Sequence, residues 1–426
     1  MTRRLVLLAA WPLLAGLSSI MIGNGLQGTL LGLRASSEEF NTFSIGVIMS
    51  MYFVGFLAGS LTVPDMIRNV GHIRVFTAMT AIASTTILAH GVFPSPVLWT
   101  IARGITGFSF AGLYVVIESW INSLTNRKTR GSILAIYLVI HYIALALGQL
   151  CLYIAPPETI EPFILTSVFV SLAAIPVALS RKPAPSHEES ERLSLREIWR
   201  ISPTSFYSIG ISALCVSVLY TIAPVYGAAK GLATQEIANF MALFLMGGIC
   251  GQLPIGYISD NIGRRKTIIA VTALTALMAL LCYIFAGTGP LLNFFFFMLG
   301  TTSLTVYAQG SAMVIDYLPP SQYLSAAGSM MIISSAGSII GPILFSGLIG
   351  INADTFFPGI AAGYISITIF ALYRSTIREA LPAEEQEGYF NAPSGGVITQ
   401  VATRMAVKAA GGESIRKYNK SVSSDK

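Results

Sequence analysis

Four ionisable side chains stand within otherwise apolar stretches of this chain: Arg103, Glu118, His141 and Asp316. An ionised group at the centre of a bilayer costs roughly 2.5–3.5 kcal/mol on insertion scales, so each implies a partner or a task. Arg103 could contact an anionic or hydroxylated substrate or couple to a proton step. It could equally cap carbonyls, support the first helix or snorkel to an interface. His141, with an unperturbed pKa of about 6.5, suits a proton switch; a satisfied core histidine is the plainer reading. At helical spacing Arg103, Gly107, Phe110, Tyr114 and Glu118 share one narrow face. That face must turn inward, because arginine against lipid is costly. Tyr137 and Gly148 share the face of His141. Asn24, Gln27, Tyr220, Pro224, Thr305 and Gln309 add groups that could line a cavity and orient a substrate, or simply bond between helices.

The elements that carry these residues follow from composition. The 426 residues are 54% hydrophobic and only 11% charged, against about 25% charged in a soluble chain. This composition predicts an all-α, polytopic membrane protein. A span needs about 20 apolar residues, and twelve such runs are marked, from 5–32 to 355–375. A polar break over 181–202 divides them six and six. The expected organisation is therefore a six-helix bundle over 1–180, a linker over 181–202, a second bundle over 203–376 and a polar tail over 377–426. The run opening at Leu5 is too long for a signal h-region and predicts an uncleaved first helix. Val397 to Ala410 could form a short surface helix. Cys151, Cys215, Cys250 and Cys282 all lie in apolar stretches without a CxxC pair, so neither disulfide nor metal is expected.

Charge placement sets the orientation. With the N-terminus cytoplasmic, the inner loops hold Arg3, Arg4, Arg68, Arg74, Arg127, Lys128, Arg130, Arg181, Lys182, Arg192, Arg196, Arg200, Arg264, Arg265 and Lys266, and only Arg34 and Lys230 fall outside. The net charge of +6 is thereby explained without nucleic acid.

Between two apolar runs, Gly256 to Lys266 reads Gly-Tyr-Ile-Ser-Asp-Asn-Ile-Gly-Arg-Arg-Lys. It joins a carboxylate, a turn-making glycine and three cations at a membrane edge. This run resembles the cytoplasmic loop motif of the major facilitator superfamily. An internal repeat supports the resemblance. Gly55, Gly59 and Gly71 recur at one offset as Gly247, Gly251 and Gly263. Ala144, Gly148 and Gln149 match Gly337, Gly341 and Pro342, and Gly112 to Glu118 matches Gly310 to Asp316. Parallel repeats of six helices are the architecture of these transporters. The first-half loop, Asp65 to Arg74, is a degraded copy in which Arg68 aligns with Asp260. The runs Gly25 to Arg34 and Val116 to Asn122 look like a bacterial YcaD-like branch.

The resemblance implies twelve transmembrane helices in two pseudo-symmetric bundles, alternating access and residence in a bacterial inner membrane with both termini cytoplasmic. It extends the family's loop role to Asp260, Gly263, Arg264 and Arg265, and more weakly to Arg68, Gly71 and Arg74. Glu118 and Asp316 are repeat-related and lie at the depth of these cationic loops. Asp316 is expected to pair with Arg264 or Arg265, and Glu118 with Arg68 or Arg74. Such pairs are either an inner-gate latch that breaks as the halves rock or a static anchor for the loops. The sharpest expectation is a secondary transporter of a small polar, anionic metabolite through Arg103, His141, Asn24, Gln27, Tyr114, Tyr220 and Gln309, by proton-coupled uptake. The alternative is drug or metabolite efflux by proton antiport. Helix 5 carries Gly148-Gln149 where the family's antiporters often have Gly-Pro, which favours uptake. Expected partners are a small-molecule substrate, a proton and membrane lipid, with the chain a monomer and no cofactor or nucleic acid. No GxxxxGK[ST], HExxH or GxSxG run points to an enzyme.

Overall fold

The computed structural model describes residues 3–125, 130–179, 193–286, 289–319, 322–377 and 386, excepting the side chains of 3–9, 130, 131 and 324. Arg127, Lys128, Arg181, Lys182, Arg192 and the stretch 397–410 lie outside the described residues, as do the side chains of Arg3, Arg4 and Arg130.

Within hydrocarbon the backbone must satisfy itself, and uninterrupted apolar runs of this length do so as helices. The first bundle holds α1 (Arg3–Ser37), α2 (Thr42–Val70), α3 (His72–Val92), α4 (Pro96–Leu124), α5 (Arg130–Leu150) and α6 (Glu161–Leu172, carried on by Ala174–Ala178). The second holds α7 (Pro203–Thr221, carried on by Ala223–Ala229), α8 (Thr234–Ile262), α9 (Arg264–Ile284), α10 (Gly289–Ser303 and Val306–Ile315), α11 (Tyr323–Ile351) and α12 (Phe356–Ile377). Among the described residues, 11 stretches, one in each of α2 to α12, are long and apolar enough to cross a membrane. α1, at 35 residues, is longer than a span requires.

Apolar runs do not signal one further helix, Leu195–Ile201, inside the polar break. Its signal is chemical: Ser194 and Glu197 form a reciprocal capping box. The Ser194 hydrogen bonds hold the Glu197 carboxyl below the usual carboxylate range. Ser329 Oγ on α11 donates to the Leu193 carbonyl, which ties the linker's end to the second bundle.

The two bundles pack by the same rules. A Cβ on Gly55 would lie 1.9 Å from the Gly104 carbonyl oxygen, so α2 and α4 touch backbone to backbone. A Cβ on Gly251 would lie 1.9 Å from the Thr301 oxygen, which repeats that contact between α8 and α10. Small residues permit this approach where no hydrophobic effect drives helices together. α3 joins α6 through Ser84 and Ser167 (2.6 Å), and α9 joins α12 through Thr272 and Thr368 (2.8 Å). Gly148 on α5 backs onto α1 as Gly341 on α11 backs onto α7.

The bundles meet along α2–α11 and α5–α8. At the face remote from the Gly71 and Gly263 loops, Ser50 Oγ donates to the Ile339 carbonyl (2.7 Å), and Gly46 abuts Ser346 and Pro342. Nearer the middle, Tyr142 of α5 packs on Gly248 of α8. A cavity of about 570 Å³ indents that remote face, lined by Ser37, Phe40, Glu158, Val225, Ile237 and Ile349 among others. Both cations expected there are paired, Arg34 with Glu38 (2.6 Å) and Lys230 with Asp354.

Candidate functional site

Arg103 is 3% exposed. Its α4 neighbours Gly107, Phe110, Tyr114 and Glu118 are buried too, so the shared face points inward. The guanidinium carbon lies 4.4 Å from the centroid of the Tyr52 ring on α2, a cation–π contact. No carboxylate pairs with Arg103 among the described residues, and its Nε has no hydrogen-bond partner. A buried cation in that condition is a strong attractor for an anion.

Arg103 borders a central cavity with Asn24, Gly25 and Gly28 of α1, Tyr52 and Phe53 of α2, Leu145 and Gln149 of α5, and Tyr220 and Thr221 of α7. Both bundles therefore contribute walls. Gln149 braces the first wall: its Nε2 donates to the Gly25 carbonyl (2.8 Å) and its Oε1 accepts from Thr29 (2.5 Å). Tyr220 is held edge-on by Phe244 at 5.6 Å. The cavity measures about 50 Å³. That is room for a water or two, far below the roughly 300 Å³ of a small-molecule site. Occupation by a metabolite requires the bundles to part.

Below Arg103 an aromatic column descends through the first bundle. Tyr52 meets Phe56 at 6.1 Å, Phe56 meets Tyr114 at 5.9 Å, and Tyr114 meets His141 at 5.8 Å. The Tyr114 hydroxyl points at Met21 Sδ (2.8 Å). His141 is buried, with Tyr137 and Tyr142 against its ring and Nδ1 lacking a hydrogen-bond partner. It sits behind Tyr114 and is not among the cavity-lining residues. The column ends at Glu118, 1% exposed, which accepts from Tyr137 Oη at 2.7 Å. Gln27 is buried with neither amide atom partnered, and it does not line this cavity.

The second bundle places its polar groups differently. α10 breaks between Ser303 and Val306. The Leu304 carbonyl accepts from Gln252 Nε2 of α8 (3.2 Å), and Thr305 Oγ1 turns back to the Thr302 carbonyl. Gln309, expected at the cavity, instead accepts from Ser259 Oγ at 2.5 Å. Ser259 also accepts from Arg264 Nη1 (3.0 Å), so Gln309 belongs to the basic loop. There Arg264, 1% exposed, reaches Asp260 at 2.8 Å and Asp316 at 3.5 Å. Arg265 is buried beside it. The expected Asp316–Arg264 pair forms, but both partners lie in one bundle. In this arrangement it anchors the loop to its own bundle. In the first bundle Arg68 pairs with Asp65 on its own helix, and Arg74 is exposed.

Sequence reasoning missed Tyr52 and gave Gln149 no site role. Tyr52 sits one helical turn from Gly55, the close-contact glycine that brings α2 against α4, and that spacing is the signal that could have found it.

The comparisons with known proteins agree with this architecture. The family model described as Major Facilitator Superfamily matches residues 13–240 and again 205–411. The chain belongs to the major facilitator superfamily. Among curated relatives, the uncharacterized MFS-type transporter YcaD of Escherichia coli (strain K12 / DH10B) is 25% identical over 332 residues, covering 78% of this chain and 86% of the relative. An uncharacterized MFS-type transporter of Enterobacter sp. (strain 638) is 26% identical over 335 residues, with the same coverage of each chain. Among solved structures, the nucleoside transporter NupG matches with a TM-score of 0.70 at 14% identity, covering 87% of this chain and 99% of that one. The E. coli fucose:proton symporter FucP matches at 0.51 and 15%, with the same coverage. These likenesses show the fold.

Proposed function

We propose that this chain is a secondary active transporter that binds a small polar, anionic metabolite at Arg103 and carries it by alternating access with proton-coupled uptake. The observation that carries this reading is the buried guanidinium with no carboxylate partner among the described residues, at a cavity walled by both bundles. An anion there would replace missing counter-charge, while Asn24, Gln149 and Tyr220 supply neutral hydrogen-bonding groups for orientation. The small cavity volume supports a closed state that must open to load.

The moving bodies are the bundles over 1–180 and 203–376, joined by the linker over 181–202, with the tail over 377–426. The basic loops support an orientation in which both termini face the cytoplasm of a bacterial cell. Helix 5 bears Gly148-Gln149, with Gln149 tying α5 to α1, and this favours uptake over antiport. The likeness to NupG and FucP admits a polar, hydroxylated cargo as the neutral limit of the same site.

A thermal-shift screen of the purified protein tests the reading, with panels of carboxylates, phosphorylated sugars, neutral sugars, nucleosides and organic cations. Anions should stabilise the protein, and Arg103→Ala should abolish that shift. Neutral or cationic ligands that stabilise both forms equally would sink the anion assignment. Proton coupling is checked in proteoliposomes loaded with a pH dye, where the stabilising anion should drive internal acidification.

A further inference from the structure

The two repeat-related loops share one backbone and differ in the buried side chain that follows the glycine. Gly71 has φ +90° and Gly263 φ +92°, both in the region that favours glycine. Each glycine amide donates to the carbonyl four residues back, Ile67 at 2.8 Å and Ser259 at 3.0 Å. Each glycine carbonyl starts the next helix by accepting from Val75 or Thr267. The residue that follows is therefore delivered to the same place in both bundles. In the second bundle it is Arg264, a permanent cation reaching Asp316 of α10. In the first it is His72, 3% exposed, whose Nε2 lies 3.0 Å from Ser119 Oγ of α4. Ser119 adjoins Glu118, the repeat counterpart of Asp316.

Ser119 Oγ also reaches the Val116 carbonyl (3.0 Å), an oxygen that can only accept. A protonated imidazole donates from Nε2 to Ser119 and leaves the Ser119 hydrogen to that carbonyl, whereas a neutral ring can instead present a bare nitrogen to the hydroxyl.

We propose that His72 is a proton-binding site of the first bundle: protonation there creates, on demand, the cation that Arg264 supplies permanently in the second. The protonated loop is tied to the end of α4 beside Glu118, and the neutral loop is released as pH rises. Among the described residues, the charged and titratable groups that the neighbouring elements carry at this end are Glu118 beside Ser119 on α4, Asp65 and Arg68 on the last turns of α2, and Arg74 on its own helix. α6 brings only Glu161, at the opposite face. The proposal does not depend on the identity of the transported molecule.

Val70 and Ile262 precede the two glycines, and each is 46% exposed, which provides a matched pair of reporters. In a Cys151→Ser, Cys250→Ser background, single cysteines at 70 and 262 are labelled with a maleimide in the purified protein between about pH 5.5 and 8. The ratio of labelling at 70 to labelling at 262 cancels the intrinsic thiol titration. It should rise at least about threefold with pH when residue 72 is histidine, as expected for a local opening. It should stay flat and low in His72→Arg, and flat and high in His72→Gln. A ratio independent of pH with histidine present, or equally dependent in either variant, overturns the proposal.

Trp120 gives a second readout, its ring 6.0 Å from His72. With Trp11, Trp99 and Trp199 changed to Phe, its emission should be quenched on acidification only when His72 is present. Trp99, whose ring lies 5.5 Å from His90, is removed so that the emission comes from Trp120 alone. A titration that survives His72→Gln counts against the assignment, and the labelling ratio decides the matter if the triple Trp variant fails to fold.

Discussion

The two bundles are alike in backbone and unlike in chemistry. Where α2 turns into α3 and α8 into α9, the same left-handed glycine is present and the same hydrogen bonds close the turn. Yet the second turn holds a buried Arg264 between Asp260 and Asp316, while the first holds His72 on Ser119 and an exposed Arg68–Asp65 pair. The same division recurs at mid-depth. The first bundle places Arg103 at the central cavity, and the second has Thr301 near the equivalent position of α10. Steric demands preserve a duplicated backbone, because a Cβ at a contact glycine has nowhere to go. Side-chain chemistry is free to drift wherever a new partner satisfies the buried group.

That contrast makes measurable demands. The largest effect is expected at Asp316→Asn, which leaves the buried Arg264 short of a counter-charge and should cost about 3–5 kcal/mol in detergent unfolding. A cost no greater than that of Arg68→Ala would erase the claimed difference between the loops. In the first bundle, Tyr137→Phe removes a hydrogen bond to a buried carboxylate and should cost about 1.5–3 kcal/mol. Gly55→Ala and Gly251→Ala should each cost about 1–3 kcal/mol or more by overpacking, with equal lowering of the unfolding midpoint. Unequal values would mean the shared backbone is less symmetric than its glycines indicate. The smallest effect belongs to Arg68→Ala, whose solvent-exposed pair contributes about 0–1 kcal/mol and should weaken further in salt.

Legibility from sequence differed in kind between these features. The inward face of α4 could be read because arginine at helical spacing with glycine and tyrosine cannot face lipid. The Asp316–Arg264 pair could be read because repeat position and loop charge both pointed to it. Gln309 was misplaced, since an amide on a helix without charged residues carries no sign of which neighbour it meets. It meets Ser259, not the cavity. Tyr52 was missed for a related reason. An aromatic residue in an aromatic-rich span is unremarkable until α2 is packed against α4 and its ring comes to lie under Arg103.

The sequence by itself determined the helical spans, the division into two repeats, the basic loops and the glycines that turn two of them. All of these rest on local properties: run length, charge placement and the conformational freedom of glycine. Only the tertiary structure decided which groups share a site. Helices apolar on every side have no single buried face, so their rotations are set by packing at the glycine contacts. Those rotations put Arg103 over Tyr52 with no carboxylate partner among the described residues, kept the Arg264–Asp316 pair within one bundle and brought His72 to Ser119.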